Sequence, residues 1–341
     1  MLTTALIEQI LNRLPSLRIG VVGDLFLDRY LDIEATLTEP SVETGLDAYQ
    51  VTKIRAFPGA AGTVLNNLVA LGVGHVSILS VIGSDGEGFE LHRELRMRSV
   101  DTTFLIEAPD RYTPTYTKPL LWSAGQPPRE LNRLDIRSRT RLPDTLQGAI
   151  VERLPKLLGE VDALIVLDQV KEPDSGVVTK LVRDRLSEMA KAGPDRFILA
   201  DSRYRIGEFR DVCIKPNRSE CSAAVSGHGD LQGDIVALAK EVGGTAFCTC
   251  GEEGILLVEG LGGEWKVTRI AGYPVRGPID PVGAGDSTSA GIACARAAGL
   301  SLAEAAAFGN LIASITIQQI GTTGTATPEQ VRERWREVSG S

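Results

Sequence analysis

The chain has 341 residues, 43% of them hydrophobic and 23% charged, ordinary values for a globular protein large enough to build its own core. A formal net charge of −8 excludes a broadly basic surface, and with it nucleic acid or an anionic membrane as the main partner. It does not exclude a phosphorylated small molecule, because a phosphate needs only a local set of amides or cations.

Near the start, Leu2, Ile7, Ile10 and Leu14 space as one face of an amphipathic helix. Glu8 and Arg13 interrupt the apolar run that a signal peptide needs. No stretch reaches the roughly 18 uninterrupted apolar residues of a membrane span. Residues 18–23 read as a buried strand ending at Asp24, 63–71 as a helix ended by Gly72, 75–82 as a strand and 87–98 as a helix. Residues 163–167 form a strand running into Asp168, 175–192 a helix, and 196–200 a strand running into Asp201. Strands follow at 245–250, 255–259 and 265–269, then helices at 287–298, 302–319 and 329–338. Apolar strands alternating with helices predict an α/β fold, a mostly parallel sheet covered on both faces. Ligands in such sheets bind at the carboxyl ends of strands, where Asp24, Asp168 and Asp201 stand. Each could also be a plain turn residue or helix cap.

Two segments, about 31–57 and 102–136, break the alternation with extended, proline-punctuated sequence. They are expected to form a small β lid on one domain spanning 1–341; two irregular surface loops are the alternative. Cys213, Cys221, Cys248, Cys250 and Cys294 show no ligand spacing and are expected as buried free thiols, which suits a reducing cytoplasm.

The strongest local signal is Asp280-Pro281-Val282-Gly283-Ala284-Gly285-Asp286, followed by an alanine-rich helix. The first amides of a helix lack internal partners and sit at the positive end of its dipole. Gly283 and Gly285 carry no side chains, so a phosphate can approach the backbone. Such a turn is an anion hole for a transferring phosphoryl group, and Asp286 at its mouth can take a hydroxyl proton. A bare Gly-x-Gly-Asp can also be a simple capped turn. Neither a P-loop nor a Gly-x-Gly-x-x-Gly fingerprint is present.

The run 280–286 resembles the Asp-Thr-x-Gly-Ala-Gly-Asp signature of the ribokinase/PfkB carbohydrate kinases. Residues 58–64 (Pro-Gly-Ala-Ala-Gly-Thr-Val) resemble that family's first signature, 217–220 its Asn-x-x-Glu motif, and 249–254 its Thr-x-Gly-x-x-Gly nucleotide loop. Residues 23–30, 131–135 and 168–171 are similar to the heptose 7-phosphate kinase type within the family. The resemblance implies a ribokinase-like fold and ATP-dependent transfer to a sugar or sugar phosphate.

It also implies roles residue by residue. Asp286 is the base, and the amides of Gly283, Ala284 and Gly285 form the anion hole. Asn217 and Glu220 help place Mg²⁺ through water, although their spacing is also that of a capping box. Thr249, Gly251 and Gly254 line the nucleotide loop, with Asn310 and Ala313 by the adenine. Asp280 and Val282 match positions that bind K⁺ in some members. Asp24, Gly59, Ala60, Thr63 and Asn67 face the acceptor, with Arg133 and Lys171 as candidates for a phosphate already on it or as solvated charge. A lid of this kind often forms a homodimer interface in the family. On the acceptor side two positions of the first signature depart from the pattern, Ala60 for its second glycine and Thr63 for its usual asparagine; elsewhere Pro281 and Val282 depart in the last signature and Glu172 replaces the glycine after Lys171. A non-catalytic sensor, or a kinase for another sugar or a nucleoside, is therefore also compatible with the sequence.

Overall fold

A computed structural model describes residues 2–225, 229–321 and 323–340. The valine- and isoleucine-rich runs become inner strands of an eight-stranded sheet, because a strand buried on both faces has no polar face to show. The strand order is Glu264–Ile270, Ile255–Leu261, Ala246–Thr249, Cys213–Ile214, Phe197–Ser202, Ala163–Asp168, Arg18–Gly23 and His75–Leu79. From Ala246–Thr249 to His75–Leu79 neighbouring strands run parallel, and the last two at the other edge pair antiparallel.

Successive side chains enter opposite cores. Ile19, Val21, Ile165 and Leu167 join one, while Val22, Leu164 and Val166 join the other. Helices Thr4–Arg13, Ala61–Leu71, Ala284–Ala297 and Leu302–Thr316 cover the first face. Helices Asp144–Glu160, Lys180–Ala192 and Leu231–Val242 cover the second.

A second, five-stranded sheet is built from Leu25–Glu34, Val51–Ala60, Thr115–Trp122, Arg129–Glu130 and Leu134–Ile136. It takes up much of the two segments that broke the alternation and reaches further toward the main sheet. Residues 106–108 do not join it; they pair with Val81–Gly83. The Thr113 hydroxyl accepts the Gly83 amide at 2.9 Å, which holds the chain against the main body until just before Thr115.

The helix expected from residue 175 starts only at Lys180. The Val177 amide donates to Asp24 Oδ1 at 2.7 Å, and the Thr179 hydroxyl caps the helix, so the intervening turn is pinned to the strand-end acid. Helix Ala61–Leu71 begins with no side-chain cap at Ala60, whose φ of 53° and ψ of −116° suit glycine. Such a conformation costs an L-residue about 1–3 kcal/mol. Ala60→Gly is expected to raise stability by roughly 1 kcal/mol. Thermal denaturation checks it, and an unchanged or lower midpoint would show that the backbone there carries no strain.

Candidate active site

The carboxyl edge of the main sheet gathers charge. Asp24 is buried, and its carboxylate accepts the amides of Gln169 at 3.0 Å and Val177 at 2.7 Å. Burial, then the neighbouring Asp168, pushes its pKa up to about 6 despite those amides. Asp168 is buried against Arg205 and accepts the Ser202 hydroxyl at 2.7 Å. Asp201 pairs with buried Lys215 at 2.9 Å and accepts the Ser289 hydroxyl at 3.3 Å.

The glycine turn delivers helix Ala284–Ala297 to this edge. Gly283, its N-cap, has φ 81°, and a Cβ there would lie 2.8 Å from Thr323 Cγ2 and 3.5 Å from Thr63 Cγ2. The Ala284 amide is spent on the Pro281 carbonyl at 3.1 Å. Gly285 and Asp286 follow in the first turn, where amides have no acceptor within the helix. Asp286 keeps some surface toward a cleft. Burial of its carboxyl and the charge of Asp201 push its pKa up to about 7, against the opposing pull of Lys215 and Arg203.

Three cavities meet here. The first is lined by Thr249, Gly251, Gly254, Tyr273, Asn310 and Ala313, among others. The second, short and polar, is lined by Asp201, Arg203, Lys215, Glu220 and Asp286, together with Asn217. The third lies between the two sheets and is lined by Asp24, Phe26, Arg111, Tyr116, Arg137 and Gln169, among others. Thr249 and Gly285 line both the first and the second, and Gln169 lines both the second and the third. The cavities therefore follow one another in a row with shared walls, and Asp286 lines the middle one.

The loop after strand Ala246–Thr249 turns tightly at Gly254, φ 89°, where a Cβ would stand 2.1 Å from the Ile270 carbonyl. Asn310 donates to the Ile270 and Ala271 carbonyls at 3.1 Å each, fixing the wall of the first cavity. Asn217 and Glu220 form a reciprocal capping box on helix Arg218–Ala224 and also line the polar cleft. Asp280 gives its carboxylate oxygens to the amides of Val282 and Gly321, each at 3.1 Å, while the Val282 side chain is exposed. Among the described residues no group of three or more His, Cys, Asp or Glu side chains is arranged to hold a metal ion.

Residues 209–330 match the family model described as pfkB family carbohydrate kinase. The chain is 30% identical over 332 residues to the bifunctional protein HldE of Trichlorobacter lovleyi, covering 96% of this chain and 64% of that protein. It is 31% identical over 339 residues to the bifunctional protein HldE of Citrifermentans bemidjiense, covering 96% of this chain and 65% of that protein. Residues 209–330 carry a pfkB family carbohydrate kinase domain. The chain spans about two thirds of the length of the curated relatives it matches, 64% and 65%. The fold agrees. Phosphofructokinase-2 from Escherichia coli in complex with potassium superposes with a TM-score of 0.69 at 19% identity, over 95% of this chain and 99% of that one. Arabidopsis thaliana ribokinase complexed with ribose and ATP gives 0.64 at 17% identity, over 93% and 98%.

The residues expected to face the acceptor do not all converge. Asp24 lines the third cavity. Gly59, Ala60 and Thr63 stand where the second sheet meets helix Ala61–Leu71, and Thr63 approaches Gly283. Asn67 is fully buried; its amide donates to the Thr63 carbonyl at 2.9 Å. Arg133 is not among the cavity's lining; it pairs with Asp135 and lies 4.2 Å from the centroid of the Tyr116 ring. Lys171 is exposed, and its carbonyl accepts from Arg205 at 2.9 Å. The cations that do line the cavity are Arg111 and Arg137. Neither lies in a recognisable motif, and only the folding of 111–116 against strand Leu25–Glu34 brings Arg111 there. Lys215 and Arg203 were equally unmarked as site residues, although Lys215 stands two residues before Asn217 and Arg203 two residues after a strand-end acid.

Asp286 lines the middle cavity, and its folded pKa lies above its unfolded value. Its contribution to stability is therefore neutral below its ordinary value near 3.8, becomes a growing loss between there and about 7, and is constant above that. The melting temperature of Asp286→Asn is expected to exceed wild type at pH 8 and to match it near the ordinary carboxylate pKa of ~4. A gain independent of pH would show that the Asp286 pKa is not raised.

Proposed function

We propose that this chain transfers the γ-phosphoryl group of ATP to a hydroxyl of a sugar that already carries a phosphate, with heptose 7-phosphate as the first acceptor to test. The observation that supports this reading is the row of adjoining cavities from the glycine loop at 251–254, through the cleft lined by Asp286, to a pocket holding an acid and two arginines. ATP lies along Thr249, Gly251 and Gly254 with its adenine near Asn310 and Ala313. The acceptor lies by Asp24, with its phosphate at Arg111 and Arg137 and its reactive hydroxyl at Asp286. Asp286 takes the hydroxyl proton as the new O–P bond forms and the bond to ADP breaks.

Mg²⁺ enters with the phosphates of ATP, and Asn217 and Glu220 help to place it through water. Oxygen donors at the polar cleft fit that ion, which keeps much of its hydration. K⁺ is proposed at the loop of Asp280 and Val282 through backbone oxygens, since the Asp280 carboxylate is engaged by two amides. The second sheet acts as a lid that excludes water from the transfer. Its exposed Val51, Ile54 and Phe57 support a homodimer through that sheet. All five cysteines are free, in keeping with the cytoplasm as its compartment. Among the described residues no helix is long and apolar enough to cross a membrane.

A screen of sugars and sugar phosphates with Mg-ATP, read as ADP release, tests the activity. Asp286→Asn is expected to lose at least ~10²-fold in kcat while retaining nucleotide binding, the low end for loss of a general base. Near-normal turnover in that variant would remove Asp286 from the chemistry. Arg111→Ala and Arg137→Ala are each expected to raise the acceptor KM roughly tenfold, about 1.4 kcal/mol, with the ATP KM unchanged. Equal use of the dephosphorylated sugar by wild type would overturn the phosphate subsite.

A further inference from the structure

We propose that Lys215 is the protein cation that meets the transferring phosphoryl group, and that Asp201 is the residue that positions it. The inference rests on the kinase reading above and assigns a role within it.

A buried lysine is costly, and an ion pair sunk in a core rarely recovers that cost. Lys215 is 3% exposed, yet its ion-pair partner among the described residues, Asp201, lines the same polar cleft as Asp286 and Gly285. The pair is thus a buried charge set at the wall of a cavity. Three features fix the ammonium there. Lys215 directly follows strand Cys213–Ile214, and its amide donates to the Ala200 carbonyl at 2.8 Å. Asp201 holds Nζ at 2.9 Å from the neighbouring strand. Ser289, on the helix that carries Asp286 in its first turn, donates to that same Asp201 Oδ2 at 3.3 Å. The lysine is therefore indexed to the helix that carries the base.

Its ammonium is aimed at the glycine turn. Nζ lies 3.5 Å from the place a Cβ on Gly285 would take, so the missing side chain leaves open the route between the cation and the first amides of the helix. An ammonium carries three donors. Among the described residues Asp201 is the only oxygen partner found for it, which leaves donors available toward the cleft. Burial alone would depress the amine, but Asp201, Glu220 and Asp286 outweigh it and hold the pKa above the ordinary lysine value.

In the transfer, charge spreads over the equatorial oxygens of the phosphoryl group as the bond to ADP lengthens. Lys215 donates hydrogen bonds to those oxygens and stays protonated throughout. The hydroxyl proton goes to Asp286, the new O–P bond forms, and the bonding pair of the broken P–O bond leaves with ADP. A fixed cation in a water-poor site stabilises the transition state more than the ground state.

The test uses the full chain with Mg-ATP and an acceptor found to support ADP release. Lys215→Met is expected to lose at least ~10²-fold in kcat, the scale of one lost transition-state donor, with the ATP KM within about threefold of wild type. It is also expected to bind ADP normally but to lose the complex of ADP with aluminium fluoride, a planar phosphoryl mimic. A merely structural lysine would not separate those two affinities. Lys215→Met leaves Asp201 buried and unpaired and lowers stability; the double variant Lys215→Met/Asp201→Asn removes both charges and is expected to fold and to be as slow. Single or double variants with wild-type kcat, or with undiminished binding of ADP–aluminium fluoride, overturn the assignment. A slow Asp286→Asn beside a fast double variant removes Lys215 and leaves the kinase reading intact. A wild-type chain that releases no ADP with any acceptor removes both.

Discussion

A carboxylate buried at the end of a parallel strand must be answered by donors, or the strand end cannot close. This chain meets that constraint three times along one edge, each time differently. Asp24 is met by backbone amides, Asp168 by a guanidinium and a hydroxyl, and Asp201 by an ammonium and a hydroxyl. The donors come from loops and helices far away in sequence. The acids therefore organise the surface at which the cavities meet. The bend at 169–177, the late start of helix Lys180–Ala192 and the seat of Lys215 all follow from them.

The same compensation sets the basicity of Asp286. It is the acid on this edge for which neither an amide nor a salt-bridge partner was found among the described residues, and its pKa lies near neutrality as a result. Asp201 raises it and Lys215 lowers it, so a single ion pair acts on it from both sides. A group that titrates near pH 7 can accept a proton and release it again without a large penalty in either direction. The more fully satisfied Asp168 serves instead to hold Arg205 against the carbonyls of Val170 and Lys171.

The parallel sheet, the glycine turn and the strand-end acids were legible because each is a local pattern with one physical meaning. Short elements were not. Strand Cys213–Ile214 has too few residues to show a period, and helix Asp144–Glu160 hides its apolar face behind Pro155 and two glycines. Asn217 and Glu220 show why a motif can be read two ways: they are a capping box and cleft residues at once. Charge was the least legible. Arg133 sits in a recognisable motif but outside the acceptor cavity, while Arg111 and Arg137 sit in none and line it. Which cation faces a cavity is decided by tertiary folding of the second sheet, and no spacing in the chain encodes that.

One junction of the second sheet with the main body lies beside the cavity between the sheets. Leu25 pairs with Ala60, and the Ala61 amide closes on the Asp24 carbonyl at 2.9 Å. Close by, the Leu27 amide reaches the Pro114 carbonyl at 2.8 Å. Asp24 and Pro114 are also walls of the cavity between the sheets. Whatever fills that cavity therefore presses on the footings of its own cover, so recognition and enclosure share the same few atoms and a change in one alters the other.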